Sequence, residues 1–339
     1  MGRSQIPALV CLMVAAFSVD ARAASPCSID HAYPEVAALD VEQGRLVATL
    51  GRRFVPMGTG KGGEYAFPVF GREHPRLAFS LEEGWVHSGV TSESPYRGMT
   101  KSACVEFVVD APEFWEGVFP AEPSPEERQY FNQRVTHCSS DNEFVWGGIS
   151  FYAGEGSWGL GGVVKKTIAT GEIDVIRPTG ATNLSTGPVA RFGGELFLGQ
   201  FHDGECQGPA AGTGLKTLQF NTYAQRYELE PVSEVCGFAI RDFQEFGGSL
   251  WVATDFGVSR LTTGESPKWT NFVPDLESET LMREVECDSI YAELLSSEEF
   301  ADTEGFDLGF AFEDLWKRLR HHRPDFARRH LRELHGLAP

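Results

Sequence analysis

The chain has 339 residues, 48 acidic against 29 basic, and a formal charge of −19. So acidic a body repels phosphate backbones, which excludes general nucleic-acid binding. Hydrophobic residues make up 42%, with 37 Gly and 19 Pro, a globular chain rich in turns rather than a disordered one.

The N-terminus reads as an export signal. Arg3 supplies positive charge, an apolar run extends from Ile6 to Val19, and Ala21-Arg22-Ala23 is a small-residue cleavage site. The run is too short for a spanning helix. Residues 1–23 are therefore expected to leave on export to the periplasm or beyond, and no later window is apolar enough to cross a membrane. Removing Cys11 with the signal leaves Cys27, Cys104, Cys138, Cys206, Cys236 and Cys287, an even set that suggests disulfides in an exported chain. None forms a CxxC pair, which argues against structural zinc.

The body, residues 24–295, repeats. Its clearest unit runs from Ala239 to Glu265. A short strand ends near Phe243, and Gly247-Gly248 make a hairpin turn. Leu250 to Thr254 form a second strand and Val258 to Leu261 a third. Thr263-Gly264 lead to a fourth around Trp269 to Phe272. Four short strands with glycine turns make one propeller blade. Upstream, Phe192 to Gly199 repeats the turn and second strand, and Gly214 to Leu218 the third. Arg134 to Trp146, Ala38 to Thr49 and a degenerate Ala78 to Gly89 extend the series, with a faint sixth copy at Glu284 to Leu295. The residues matching Trp251 are Phe197, Val145, Trp85 and Val47. The fold expected is all-β and propeller-like, with about five to six four-stranded blades. The competing architecture is a β-sandwich with chance Gly-Gly hairpins.

Asp242 to Thr254, with Gly-Ser-Leu-Trp-Val-Ala-Thr, resembles the blade signature of two-component-regulator propeller repeats, in which an Asp precedes a glycine turn and a Leu-Trp strand. Ala253 stands where that signature has glycine. The resemblance implies a sensor or scaffold architecture and no catalytic residues, because the signature is structural.

After the body come an acidic linker, residues 296–311, and a basic segment, residues 312–339, with seven basic residues against four acidic ones. Phe312, Leu315, Trp316 and Leu319 recur at helical spacing, and Pro324 fits a helix start. A helical hairpin packed on the propeller edge is the plain expectation; a membrane-surface helix or docking tail is the sharper one.

No G-x-S-x-G, H-E-x-x-H, P-loop or EF-hand pattern is present. Gln200 to Cys206 gathers His202, Asp203 and Glu205, residue types suited to metal ligation or acid–base work, although Asp-Gly is also a common turn. In a four-stranded blade the loop between strands two and three shares a face with the loop between blades. Insertions there carry Arg52, Arg53, Tyr96, Arg97, Tyr152, Trp158, Phe201 and His202. Aromatics mixed with arginines on long loops suit recognition. The sequence thus points to an exported binding or scaffold propeller, needing no cofactor, whose partner is a protein, peptide or glycan. The rival is a lactonase-like propeller hydrolase, which calls for Ca2+ or another divalent ion at the channel, with Asp40, His137 and Asp242 on innermost strands. A Cys206–Cys236 disulfide would tie an inserted loop to the loop between blades; a Cys206–Cys138 bond is the alternative.

Overall fold

A computed structural model describes residues 35–51, 73–93, 107, 131–153, 161–178, 185–201, 212–264, 267–276, 278–296 and 326. These residues build four antiparallel sheets, each consecutive in sequence. Blade one comprises β1 (Val36–Glu42), β2 (Arg45–Leu50), β3 (His74–Ser80) and β4 (Gly84–Thr91). Blade two comprises β5 (Phe131–Ser140), β6 (Phe144–Ala153), β7 (Gly162–Thr167) and β8 (Ile173–Ile176). Blade three comprises β9 (Ser185–Phe192), β10 (Glu195–Phe201), β11 (Gly212–Asn221) and β12 (Arg226–Pro231). Blade four comprises β13 (Ile240–Phe246), β14 (Ser249–Thr254), β15 (Gly257–Thr262) and β16 (Lys268–Pro274), with a fifth strand, β17 (Met282–Val285), on its outer edge. Helix α1 (Cys287–Ser296) follows. The propeller is the architecture, and a sandwich is not.

The sequence pattern explains these sheets. Both residues of the Gly193-Gly194 and Gly247-Gly248 turns have positive φ, between 60° and 87°. That is the turn whose twist matches a tight hairpin and which glycine adopts without penalty. The second strands are apolar on both sides because neighbouring blades cover both sides. All six residues of β14 are buried. Leu250 and Val252 pack with Phe197 and Leu215 of blade three. Trp251 and Ala253 pack with Leu39, Leu46, Leu77, Phe79 and Trp85 of blade one. A third core joins Val163 and Trp146 of blade two to Leu196 and Leu198 of blade three. Sheets therefore succeed one another in the order two, three, four, one, and the first blade lies against the last.

Two of the expected copies resolve differently. Ala78 to Gly89 is not a separate blade: β3 and β4 pair onto β2 as the outer half of blade one. Its Glu82-Glu83-Gly84 turn has the local look of a first hairpin, and only the pairing partner tells the two apart. Glu284 to Leu295 is the end of β17 followed by α1, because Ile290 and Tyr291 bury a helical face rather than a strand face. Among the described residues there are thus four blades, where five to six were expected.

The register also moves one equivalence. Phe197 and Trp251 each sit third from their hairpin, paired with Ala190 and Gln244, and they are 2% and 1% exposed. In blade two the turn closes between Asp141 and Phe144. The equivalent residue is then Trp146, not Val145. Trp146 joins the core shared with blade three, as Phe197 joins that shared with blade four. A one-residue slip sends a strand residue to the opposite face, so only the pairing settles it.

Between blades two and three, the second strand of one and the first strand of the next approach closely. A Cβ on Gly148 of β6 would lie 2.1 Å from the Gly187 carbonyl of β9. Polar clamps finish the joints. Asp242 Oδ2 accepts the amide of Leu39 at 3.0 Å, tying β13 to β1. Beside it Arg241 reaches Glu35 Oε2 through Nη2 at 2.7 Å and Nε at 3.0 Å, with both side chains at most 10% exposed. Between blades two and three, Arg191 Nη1 donates to Asp141 Oδ2 at 2.9 Å. Asp141 Oδ1 also accepts the amides of Glu143 and Phe144, both at 2.7 Å. Burial opposes ionisation of Asp141, but these amides and Arg191 outweigh it and hold its carboxyl below the usual range.

Two outcomes follow for stability. Glu35→Ala takes the carboxylate from a buried guanidinium and should cost about 3–5 kcal/mol in urea unfolding. Replacing Glu35 with Leu and Arg241 with Met together should recover most of that loss. Recovery absent from the double variant would show that the pair is more than a closure clamp. Asp141→Asn should cost about 1–2 kcal/mol at neutral pH. Because the folded-state pKa is depressed, this contribution is present above the unfolded carboxylate pKa and fades as pH falls through the folded value. Melting curves of parent and variant should therefore converge in acid; a gap constant with pH would contradict the clamp.

Candidate insertion-bearing face

The strand registers place the loops between second and third strands at one end of the sheets. Phe201 at the end of β10 pairs with Ser185 at the start of β9 and with Gly212 at the start of β11. The segments joining β2 to β3, β6 to β7 and β10 to β11 therefore leave blades one, two and three on the same face. Arg52, Arg53, Tyr96, Arg97, Trp158, His202, Asp203 and Glu205 lie outside the described residues. Tyr96 and Arg97 do not belong to an insertion between second and third strands as expected: they follow β4, the fourth strand of blade one, in the connection to blade two. Tyr152 belongs to β6, opposite Asn132 of β5. Phe201 is 7% exposed, and a Cβ on Gly187 would lie 3.1 Å from its ring. It packs inside the blade rather than standing free.

Blade four differs on this face. Its second and third strands join through Asp255 and Phe256 alone, both buried. Asp255 Oδ1 accepts the amides of Phe238 and Ala239 at 2.8 and 3.2 Å, joining this turn to the strand entering the blade. Tyr291 of α1 lies over the turn, its ring 5.6 Å from Phe238 and 5.9 Å from Phe256. Its hydroxyl oxygen accepts the amide of Gly237 at 3.0 Å. Phe326, helical and buried, packs 6.0 Å from Tyr291. Helical elements thus close the blade-four sector. No signal within a single blade announced this cover, although the aromatic spacing of residues 312–334 predicted a helical face seeking a partner.

The disulfide belongs to this cover. Cys236 bonds Cys287 at the start of α1, with Cα atoms 5.1 Å apart. The expected Cys206–Cys236 pairing is therefore wrong. Cys236 is held in place by Asn271, which accepts its amide at 3.2 Å and donates to the Glu234 carbonyl at 2.9 Å. Asn271 also accepts the Ser259 hydroxyl at 2.6 Å, so the loop between blades lies along the outer strands of blade four, where β17 delivers Cys287. Cys138 is disulfide-bonded as well, to a partner outside the described residues.

Of the channel residues named for a hydrolase, Asp242 is engaged at a joint between blades. Asp242 joins blades four and one, with Oδ1 accepting its neighbour Phe243 amide at 2.9 Å. Asp40 lies on β1 and His137 on β5. Among the described residues no group of three His, Cys, Asp or Glu side chains is placed to hold a metal ion. Two cations are desolvated: burial pushes the Arg177 guanidinium, just after β8, down to about 10, and it lowers Lys216 of β11, partly offset by Glu230. No described helix is long and apolar enough to cross a membrane.

No protein-family model matches the chain, and no curated protein does. Solved structures do align with it. The extracellular domain of a hybrid two-component system, BT4673 from B. thetaiotaomicron, is 12% identical with a TM-score of 0.29, over 73% of this chain and 29% of that one. The GH74 enzyme of Niastella koreensis is 11% identical with a TM-score of 0.27, over 73% and 42%. CoXyl43, a GH43 β-xylosidase/α-arabinofuranosidase from a compost metagenome, is 10% identical with a TM-score of 0.25, over 76% and 92%. The chain thus spans less than a third of the first of these. At such scores the likenesses carry no argument, and the fold rests on the sheets described above.

The Cys236–Cys287 bond closes a separation of 51 residues. Its removal in a Cys236→Ser/Cys287→Ser variant should cost about 4 kcal/mol. Non-reducing peptide mapping should recover a 236–287 peptide; alkylatable thiols at both positions would contradict the pairing.

Proposed function

We propose that this chain is an exported propeller that acts by binding, holding a protein, peptide or glycan against the inserted loops of blades one, two and three. The observation that carries the reading is the asymmetry of one face. Three of its sectors bear long connections, while blade four has a two-residue buried turn under a disulfide-tied helix. A rigid scaffold that closes one sector and enlarges the others suits recognition by loops. Two carboxylates at the inner end of the sheets support the same view, since Asp242 and Glu35 are spent on joining blades. Export is supported by the signal-like N-terminus and by disulfides at Cys138, Cys236 and Cys287, bonds that persist in oxidising compartments.

Within this reading Arg52, Arg53, Tyr96, Arg97, Trp158 and the His202-Asp203-Glu205 loop supply the contacts, and Phe201 supports them from below. Screening the mature protein on glycan and peptide arrays identifies a binder for titration. Trp158→Ala and Arg97→Ala should each weaken it about tenfold or more without lowering Tm. A binder unaffected by either, or silent arrays, would count against this face.

A further inference from the structure

The opposite face carries a separate signal. There the hairpins β1–β2, β3–β4 and their counterparts in each blade turn together. Gly247, in the β13–β14 turn, has Leu81 of the β3–β4 turn 3.5 Å from where its Cβ would stand. Seven large hydrophobic side chains are exposed among the described residues, and six of them lie at this end: Val41, Leu81, Ile168, Phe220, Tyr223 and Tyr227. Tyr223 is fully exposed, yet its turn is ordered. Asn221 Oδ1 accepts the amides of Tyr223 and Ala224 at 3.0 and 2.9 Å, and Phe220 and Tyr227 meet edge to face at 5.1 Å. Six exposed apolar side chains at one end of the sheets, three of them on the ordered β11–β12 hairpin, point to an interaction surface.

Charge at this end selects the partner. Arg45, Arg191 and Arg226 are each taken by a carboxylate, from Glu83, Asp141 and Glu228. Glu82, Glu172, Glu195 and Glu245 are exposed with no ion pair, against a single exposed and unpaired cation among the described residues of this end, Lys268. The surface is apolar and negative, and it fits a segment that is apolar and positive. The chain owns one. Residues 312–339 hold seven basic residues against four acidic ones, with Phe312, Leu315, Trp316 and Leu319 at helical spacing. The described point of that segment, Phe326, is seated against Tyr291 on the insertion-bearing face, away from the hairpins. Phe326 and the hairpins thus lie at opposite ends of one copy.

We propose that the hairpin face of one copy receives the basic C-terminal segment of a second copy. Donor and acceptor lie on opposite faces, so the contact is head-to-tail. Copies add in file instead of closing a two-fold dimer. The contact depends on the charge of both surfaces and weakens with salt.

Sedimentation velocity of the full mature chain tests this. At low salt the sedimentation coefficient should rise steadily with concentration, and at high salt it should fall to that of a monomer. Glu195→Lys/Glu245→Lys should weaken association about tenfold or more, as should Arg328→Glu/Arg329→Glu in the segment. Tyr223→Ser should weaken it at unchanged charge. Mixing the two charge-reversed proteins should restore association between them, with circular dichroism and Tm confirming that each is folded. A wild-type monomer at every concentration in low salt overturns the proposal. So does a limiting two-copy species, or a mixture that does not associate.

Discussion

Everything in this molecule hangs on sheets being buried on both faces by neighbouring sheets. A lone four-stranded sheet of this composition would expose both apolar sides to water. Packed between two others it exposes neither, which is why β14 has no outward residue at all. The requirement is circular: blade four needs blade one as much as blade three. Trp251 shows it most plainly, stacked 6.2 Å from Phe272 of its own blade and 4.9 and 5.9 Å from Phe79 and Trp85 of the first. Residues far apart in the chain thus complete one core, and the Glu35–Arg241 pair and the Asp242–Leu39 bond sit at the same joint. Aromatic burial supplies the gain there, and the polar clamps fix the angle at which the blades meet.

That arrangement sorts the acidic residues into two populations. Four of them are consumed by structure: Asp242 and Asp255 accept backbone amides, and Glu35 and Asp141 hold arginines. Others on the hairpins, Glu82, Glu172, Glu195 and Glu245, stay in water. An acidic composition can therefore coexist with a closed propeller, because the buried carboxylates are each met by donors. Asp242, one of the carboxylates named for the channel, is one the blades need for a joint.

The C-terminal elements turn a repeating scaffold into an asymmetric one. β17 extends the outer edge of blade four, the chain then enters α1, and Cys287 meets Cys236 at the helix start. Tyr291, stacked on Phe238 at 5.6 Å, closes the Asp255-Phe256 turn. Four similar blades would offer four equivalent mouths on this face. The cover removes one and leaves the others to the inserted loops.

Local pattern alone determined the kind of fold. Gly193-Gly194 and Gly247-Gly248 required hairpins because both central residues need positive φ, and Leu250 to Thr254 required a strand buried on both sides because it has no polar face. Whatever depended on partners far away in the chain was decided only in three dimensions. Glu82-Glu83-Gly84 reads as the first hairpin of a blade and is the last, since a turn does not record which strand lies behind it. Trp146 rather than Val145 faces blade three, because the hairpin register, not the spelling of the strand, sets the side. Cys236 found Cys287 because Asn271 lays the loop between blades along the outer strands of blade four, a contact between segments 35 residues apart that no spacing rule encodes.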